Sequence, residues 1–226
     1  MNTNEKCHFL HTLFNRLKRY KFNILEIYRL DFTGVYIVFE KGEFSHDLDR
    51  IVRIGTTTGK NTLLADRLTE HYENEGRSIF RNHIAICLLK KYGDPLQLSG
   101  LFYKGKNEKY QIDDKVGREN WKKYSATQNE INEYRNLNNK ISEYIRENCS
   151  FTIFPVKRFD CGVWEKKLIS TISTCVLCKQ SENWLGNYIP KERKKISDYG
   201  LWNINHVNNK NVISKEDISE LEHIIR

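Results

Sequence analysis

Residues 34–72, GVYIVFEKGEFSHDLDRIVRIGTTTGKNTLLADRLTEHY, decide the fold of this chain. The runs at 34–40 and 50–54 are apolar and rich in β-branched residues, and the polar segment 41–49 separates them. Two such runs joined by a short polar segment predict an antiparallel hairpin. This hairpin supplies the first two strands of a small sheet, against which the residues that follow must pack.

A helical pattern follows the hairpin at residues 62–75, with Thr62 as its N-cap and Gly76 just past its end. Arg67 and His71, four residues apart, lie along one edge of its apolar stripe. They are either ordinary boundary residues, with the arginine stem covering the core, or a pair that directs a guanidinium and an imidazole along the rim of the sheet. The second arrangement suits a phosphodiester.

The composition is that of a basic globular protein. The chain has 226 residues, a mass of 26.9 kDa, a mean hydropathy of −0.66 and a formal net charge of +8. This charge favours a polyanionic partner such as nucleic acid, although it also serves solubility. No apolar run reaches the roughly 18 residues of a membrane span, and the first residues lack the pattern of a secretory signal. We therefore expect a cytoplasmic protein with no membrane partner.

The remaining patterns complete a mixed α/β fold, in which helices flank a small, mainly antiparallel sheet of about three strands. They predict a helical segment within 8–30, helices at 78–91, 129–147 and 162–173, a strand at 151–159, and a last helix from Ser214. We expect a single domain over 1–226, with a core at about 32–91 and 150–190, an N-terminal helical segment at 1–31, an insertion at about 92–150 and a C-terminal extension at 191–226.

Glu165 is the most unusual residue of the predicted helix at 162–173. Leu168, Ile169 and Ile172 follow it at helical spacing, so the carboxylate shares the buried face. A bare carboxylate in such a place is costly and must be paired, protonated or bound to a metal, or else take part in the helix start. Two interpretations stay open, a metal ligand and a capping-box glutamate with Gly162 as N-cap.

Six cysteines occur in the chain, and Cys175 and Cys178 have the two-residue spacing of a zinc site. The nearest candidates for the other two ligands are Cys149 and Cys161, but a second closely spaced pair is absent. We therefore expect reduced thiols packed as small apolar groups rather than zinc.

Two basic runs flank the predicted core, and each is either a solvated face or a set of phosphate contacts. Their members are Arg16, Lys18, Arg19 and Lys21 in the first run and Lys191, Arg193, Lys194 and Lys195 in the second. His83 is expected on a helix surface or at the edge of the core, and Trp184 and Trp202 are expected to anchor the core rather than stack on bases.

Taken in order, these residues resemble the motifs of the GIY-YIG nucleases. Gly34-Val35-Tyr36 matches the first motif, Arg53-Ile54-Gly55 the second, and Thr57, Arg67, His71, Glu165 and Asn183 match later positions of the family. The resemblance covers about residues 32–91 and 150–190. The chain departs from the family at Arg53, where a tyrosine is usual, and this departure affects any mechanism in which two tyrosines share a network around the attacking water.

The resemblance implies a metal-dependent DNA endonuclease, of the restriction or genome-defence type because no repair or zinc-finger module is attached. It implies one Mg²⁺ or Mn²⁺ per site on Glu165, with Arg67 stabilising phosphoryl charge, Tyr36 as base, His71 orienting Tyr36 or relaying its proton, and Asn183 positioning the reacting groups. The partner would be double-stranded DNA, and one site per chain requires a homodimer or successive cuts. The alternatives are a non-catalytic nucleic-acid-binding module and an RNA-cleaving nuclease.

The strand pattern predicts the position of Arg53. Period 2 along the strand places Ile51 with Arg53 on one face and Val52 with Ile54 on the other. Arg53 would then reach the rim beside Tyr36, contact the scissile or an adjacent phosphate, and favour the tyrosinate form of Tyr36 by its charge.

Overall fold

The computed structural model describes residues 1–57, 61–73, 78–96, 98 and 127–225. The helices are α1 (Thr3–Asn15), α2 (Ile24–Ile27), α3 (Leu64–Tyr72), α4 (Ile79–Tyr92), α5 (Gln128–Asn148), α6 (Arg158–Ser173), α7 (Lys195–Tyr199) and α8 (Lys215–Ile225). The strands are β1 (Tyr20–Lys21), β2 (Gly34–Ser45), β3 (Leu48–Thr56) and β4 (Cys149–Pro155), and 3-10 turns lie at Leu185–Tyr188 and Lys191–Arg193. The predicted position of Gly76 falls outside the described residues.

The sheet is antiparallel throughout, with strand order β1-β4-β2-β3. The predicted hairpin is confirmed, and it closes on His46 and Asp47, whose φ values of 54° and 61° are those of a tight two-residue turn. The mixed α/β class is also confirmed, but the sheet has four strands rather than three. The fourth is the short β1, in which Tyr20 pairs with Phe151.

Helices cover both faces of the sheet, which explains why β2 is an almost continuous apolar run. One face, called here the tyrosine face, carries Tyr36, Val38 and Val52 and packs against α3, α4 and α5. The opposite face, called the α1 face, carries Ile37 and Ile54 and packs against α1 and α6. A strand that is buried on both faces has no polar side to show in its sequence.

A β-bulge in β3 overturns the predicted distribution of its side chains. Val38 pairs with Arg53 whereas the next residue of β2 pairs with Ile51, so one extra residue lies on β3. Val52 therefore packs on the tyrosine face, while Ile51 and Ile54 both pack on the α1 face. The prediction that Val52 and Ile54 share a face was wrong because the bulge interrupts the period of two.

The outer edge of β3 is covered by the segment that follows α7. The Trp202 backbone N–H donates to the Val52 carbonyl at 2.8 Å. The Asn203 side chain accepts from the Ile54 N–H at 3.0 Å and donates to its carbonyl at 2.8 Å. These bonds satisfy the strand edge as another strand would, and they leave less of it open to other chains.

Two predicted helix starts were wrong. Helix α3 has Leu63 rather than Thr62 as its N-cap, because the Asp66 carboxylate accepts the Leu63 N–H at 2.8 Å. Helix α6 begins at Arg158 with Lys157 as N-cap, since β4 already ends at Pro155. Gly162 therefore lies inside the helix and cannot cap it. In the N-terminal region a helix is present as expected, but it runs over Thr3–Asn15 and is followed by β1 and α2.

A buried carboxylate connects several parts of the core. Trp184 and Trp202 are the core anchors that the sequence predicted, and their indole N–H groups donate to the same oxygen of Glu40 at 3.0 and 2.9 Å. The Tyr144 hydroxyl donates to the other oxygen. Burial raises the pKa of Glu40, and these hydrogen bonds offset part of that effect.

Within the described residues, no helix combines the length and the apolarity that a bilayer crossing requires.

Candidate active site

Tyr36 and His71 meet beneath the sheet in a short polar chain. The Tyr36 hydroxyl lies 2.5 Å from His71 Nε2, and His71 Nδ1 lies 2.6 Å from the Ser78 hydroxyl. Tyr36 lies near the start of β2, His71 comes from the last turn of α3, and Ser78 is the N-cap of α4. Both Tyr36 and His71 are fully buried, so their mutual geometry is fixed by packing rather than by solvent.

Gly55 makes room for this tyrosine. It pairs with Tyr36 across the β2–β3 ladder, and a Cβ at Gly55 would overlap the hydroxyl end of the Tyr36 ring. Only glycine lets the ring lie across β3 and bring its hydroxyl to His71. The glycine of the second sequence motif is therefore a steric requirement for the tyrosine of the first.

His71 is held in its neutral form. Burial lowers its pKa well below the ordinary value, and the positive charges of Arg53, Arg67 and Arg81 lower it further. A neutral imidazole has one N–H and one free lone pair. Placed between the Tyr36 and Ser78 hydroxyl groups, it can accept a proton at Nε2 while its Nδ1–H is donated to Ser78.

Arg67 lies beside the hydroxyl group of Tyr36. Its Nη1 donates to Glu70 at 2.5 Å, and among the described residues its buried Nε has no hydrogen-bond partner. Burial by itself lowers the pKa of Arg67, but the interactions with Tyr36 and Glu70 outweigh that effect and raise it. The guanidinium is therefore a permanent positive charge next to the tyrosine oxygen, with one N–H free for a further acceptor.

Arg53 lies on the tyrosine face together with Val52, not on the face opposite to Val52 as predicted, and it is buried rather than at the rim. Only 6% of its surface is exposed. Its Nη1 donates to the Trp202 carbonyl at 3.1 Å, its guanidinium lies over the Phe80 ring at 5.0 Å from the centroid, and its Nε has no hydrogen-bond partner in the described part of the chain. Its charge reaches both His71 and Glu165, and it lowers the pKa of each.

Glu165 occupies the third turn of α6, so the capping-box interpretation was wrong. The side chain is half-buried, as are Lys166 and Lys167, and lies at the margin of the buried face. Burial raises its pKa from the ordinary value, while Arg53 and Arg67 pull it back down. None of the hydrogen bonds or ion pairs within the described residues involves its carboxylate. Two unengaged carboxylate oxygens, within reach of the charges of Arg53 and Arg67, are the hard donors that Mg²⁺ or Mn²⁺ prefers, so the residues present fit such an ion.

Asn183 is not part of this cluster. Its side chain is exposed in the turn before Trp184, and no hydrogen bond recorded among the described residues joins it to the other predicted site residues. His83 is buried on α4, with Nδ1 3.3 Å from the Trp202 carbonyl, rather than on the surface.

The basic runs differ in how free their side chains are. Arg16, Lys18, Lys21, Lys191, Lys194 and Lys195 are exposed, whereas Arg193 is half-buried. Arg19 is engaged within the fold: it donates to Asn15 at 3.1 Å, lies 3.4 Å from the Asp49 carboxylate, and covers the Phe39 ring. Arg19 is thus mainly a structural residue.

Sequence reasoning did not identify Ser78 and Arg81 as members of the site. Ser78 was expected only to begin a helix, and it does so by accepting the Arg81 N–H at 3.2 Å. The same hydroxyl holds His71, and Arg81 donates to the carbonyls of His71 and Tyr72 at 3.2 and 2.9 Å. An N-cap serine only seven residues after the histidine was the available signal.

Comparison with family models gives a match over most of the chain. A family model described as a GIY-YIG domain matches residues 8–226, from the middle of α1 to the end of the chain. The match includes each of the predicted site residues from Tyr36 to Asn183. No curated protein and no solved structure gives a match with this chain.

Proposed function

The chain belongs to the GIY-YIG family, and on that premise we propose that it is a divalent-metal-dependent DNA endonuclease of the restriction or genome-defence type. The family indicates a nuclease, an enzyme that acts on nucleic acid, and its members generally depend on a divalent metal. The observation that carries the proposal is the 2.5 Å contact between the Tyr36 hydroxyl and a neutral His71, beside the charge of Arg67 and the unengaged carboxylate of Glu165. The cytoplasm is the proposed location.

Hydrolysis of a phosphodiester requires an activated water, stabilisation of charge on the phosphoryl oxygens and help for the leaving oxygen. Tyr36 accepts the proton of the water, because its own proton can pass to His71 Nε2. Arg67 stabilises the phosphoryl charge through its free N–H. Glu165 would hold Mg²⁺ or Mn²⁺, one ion per site, and the ion supplies neutralisation of the phosphate charge.

Arg53 takes the place of a tyrosine, and its burial favours an electrostatic role over direct contact with a phosphate. It is anchored on the Trp202 carbonyl and the Phe80 ring, so its charge is held at a fixed position. There it helps to keep Glu165 ionised and His71 neutral. Asn183 and the exposed lysines at 191, 194 and 195 are proposed to contact the nucleic acid outside the cluster.

The decisive experiment replaces Glu165 with Gln and measures cleavage of plasmid DNA and of a structured RNA, each with Mg²⁺, with Mn²⁺ and with a chelator. We expect cleavage of DNA to fall by about 10²–10³-fold, the scale of losing one charge-stabilising group. DNA affinity, measured by fluorescence anisotropy, should stay within about twofold because many basic side chains share it. Glu220→Gln, an exposed glutamate on α8, is the matched control and should cleave as the wild type does.

Undiminished metal-dependent cleavage by Glu165→Gln would refute the assignment of the metal ligand. Cleavage of RNA alone would favour the RNA nuclease.

The second candidate function is a non-catalytic nucleic-acid-binding module, which the arginine at position 53 favours. In that case the wild type binds DNA but does not cut it with either metal, and Arg53→Tyr gains cleavage. If the protein is an enzyme, Arg53→Ala should lose cleavage instead. A wild type that cuts both strands of a duplex requires either a homodimer or two successive cuts by one site. Sedimentation in the presence of DNA should show a dimer in the first case and a monomer in the second.

A further inference from the structure

We propose that Cys7, His46, Cys175 and Cys178 form a structural zinc site. The inference is independent of the proposed nuclease activity and concerns a different part of the molecule from Glu165. Three segments that are far apart in sequence supply the ligands: α1, the turn between β2 and β3, and the residues that follow α6.

The ligand atoms fall into two groups that share Cys7 and that each have the separations of a metal site, with Cys175 in one group and Cys178 in the other. The Cys7 and Cys175 sulfurs and a His46 ring nitrogen all lie within 4.8 Å of one another, and Cys7 and Cys178 belong to a second such group with His11. The Cys175 sulfur lies 3.6 Å from His46 Nε2. Zinc–sulfur bonds of about 2.3 Å and zinc–nitrogen bonds of about 2.05 Å at a tetrahedral angle place those two atoms about 3.6 Å apart.

Two histidines approach these sulfurs, and their hydrogen bonds decide between them. His11 lies near two of the sulfurs, with Nδ1 3.6 Å from Cys7 and Nε2 3.7 Å from Cys178. However, His11 Nδ1 also donates to the Cys7 carbonyl at 2.9 Å, and His11 Nε2 accepts the Ile51 N–H at 3.2 Å. Both nitrogens of His11 are therefore engaged by the backbone. The ring of His46 has no backbone hydrogen bond among the described residues, and its Nε2 lies 3.6 Å from the Cys175 sulfur, so we assign His46 as the fourth ligand.

The hairpin turn holds His46 in place. Its φ of 54° belongs to the left-handed region that the tight turn requires, and its ring stacks on His8 with 5.3 Å between centroids. Cys175 follows α6 directly, since its N–H donates to the Ile172 carbonyl at 3.2 Å. The turn and the helix end are thus rigid supports for ligands of a closed site.

The ligand partners that sequence proximity suggested were wrong. Cys149 is buried in the core of the tyrosine face, and the Cys161 sulfur lies 3.8 Å from the Thr57 hydroxyl. The sulfur partner of the closely spaced pair is instead Cys7, at the other end of the chain. All six cysteines are free thiols, so no disulfide competes for the ligands.

Three thiolates and one imidazole, all from the protein, leave no open position for a substrate, so the site is structural rather than catalytic. Thiolates also select zinc over magnesium, so this zinc site is chemically distinct from the site of the ion proposed at Glu165. Its ligands connect α1 and the hairpin turn to the end of α6, the helix that carries Glu165.

The test measures bound metal, not activity. The full chain is purified without an affinity tag that binds metals, and zinc is counted by mass spectrometry. We expect about one zinc per chain. After chelation and addition of Co²⁺, the visible spectrum should show tetrahedral cobalt with thiolate charge-transfer bands, and Mg²⁺ in excess should not displace it. This measurement on the wild type does not depend on whether any variant folds.

Variants then assign the ligands. Cys178→Ser and His46→Ala should each reduce bound zinc to less than about a tenth of the wild-type amount at limiting metal. Cys161→Ala, a buried thiol, and His8→Ala, the stacking neighbour of His46, are matched controls and should keep it. A wild type without zinc that gives no tetrahedral cobalt spectrum would overturn the proposal. Zinc retained by His46→Ala but lost by His11→Ala would overturn the choice of the fourth ligand.

Discussion

Replacing His83 with Asn should make the stability of the protein less sensitive to acid. Burial, together with the charges of Arg193 and Arg53, lowers the pKa of His83 to about 3. The unfolded chain binds a proton at this histidine below about pH 6.5, whereas the folded protein does not do so until about pH 3. The folded state is therefore progressively destabilised as the pH falls through this window.

The size of the effect follows from those two values. At pH 5.5 the unfolded histidine, with a pKa of about 6.5, is stabilised by about 1.4 kcal/mol relative to its neutral form, and the folded protein gains almost nothing. Asn retains a donor where Nδ1 faces the Trp202 carbonyl but does not titrate, and it removes only an Nε2 that has no partner in the described residues. Between pH 7.5 and pH 5.5, the free energy of unfolding of the variant should thus fall by about 1.4 kcal/mol less than that of the wild type.

The assay is urea unfolding followed by tryptophan fluorescence at the two pH values. The pH dependence of the wild-type free energy of unfolding is not diagnostic by itself. As the pH falls, His71 adds a further loss of stability, whereas Glu40 and Glu165, with raised pKa values, contribute a gain. The difference between the two proteins isolates His83. His223→Asn, at an exposed position, is the control and should follow the wild type. Equal losses in His83→Asn and the wild type, within about 0.3 kcal/mol, would refute the argument.

Other variants test the basic surface and the buried polar groups. The log-log salt dependence of DNA affinity should flatten by up to about 2.7, at about 0.9 per phosphate contact, when three exposed lysines are replaced with Ala; they are Lys191, Lys194 and Lys195. An unchanged slope would identify that run as a solvated surface. Tyr144→Phe removes a donor to the buried Glu40 and should lower the free energy of unfolding in urea by about 1.5–3 kcal/mol. A decrease below about 0.5 kcal/mol would contradict that role. Arg50→Met leaves the buried Glu43 without its cation, 2.6 Å away, and should cost about 3–5 kcal/mol, whereas a neutral result would contradict this.

Features that depend on local pattern were predictable from the sequence. The hairpin, the helix of Arg67 and His71, and the order of the motifs rest on spacing along the chain, and the structure brings Tyr36, Arg67 and His71 together. The bulge at Val52 was not predictable, because one extra residue in a strand leaves no mark in an apolar run that is buried on both faces.

Contacts between distant segments were also beyond the sequence. The Cys175 and Cys178 pair was visible, but its partners lie more than a hundred residues away, and nothing in the spacing points to Cys7 or His46. Ser78 was visible only as a helix cap, since its second bond, to His71, depends on how α3 meets α4. The predicted role of Asn183 rested on motif order alone, and the side chain lies outside the cluster.

The order of strands has a consequence for the synthesis of the chain. Strand β2 lies between β3, its hairpin partner, and β4, which follows it by roughly 100 residues. At about 5–20 residues per second, a ribosome needs about 5–20 s to make the intervening segment. During that time the hairpin can form, but the inner edge of an apolar strand has no partner and β1 has nothing to pair with. Nascent chains of this protein should therefore depend on chaperones until Pro155 has left the ribosome.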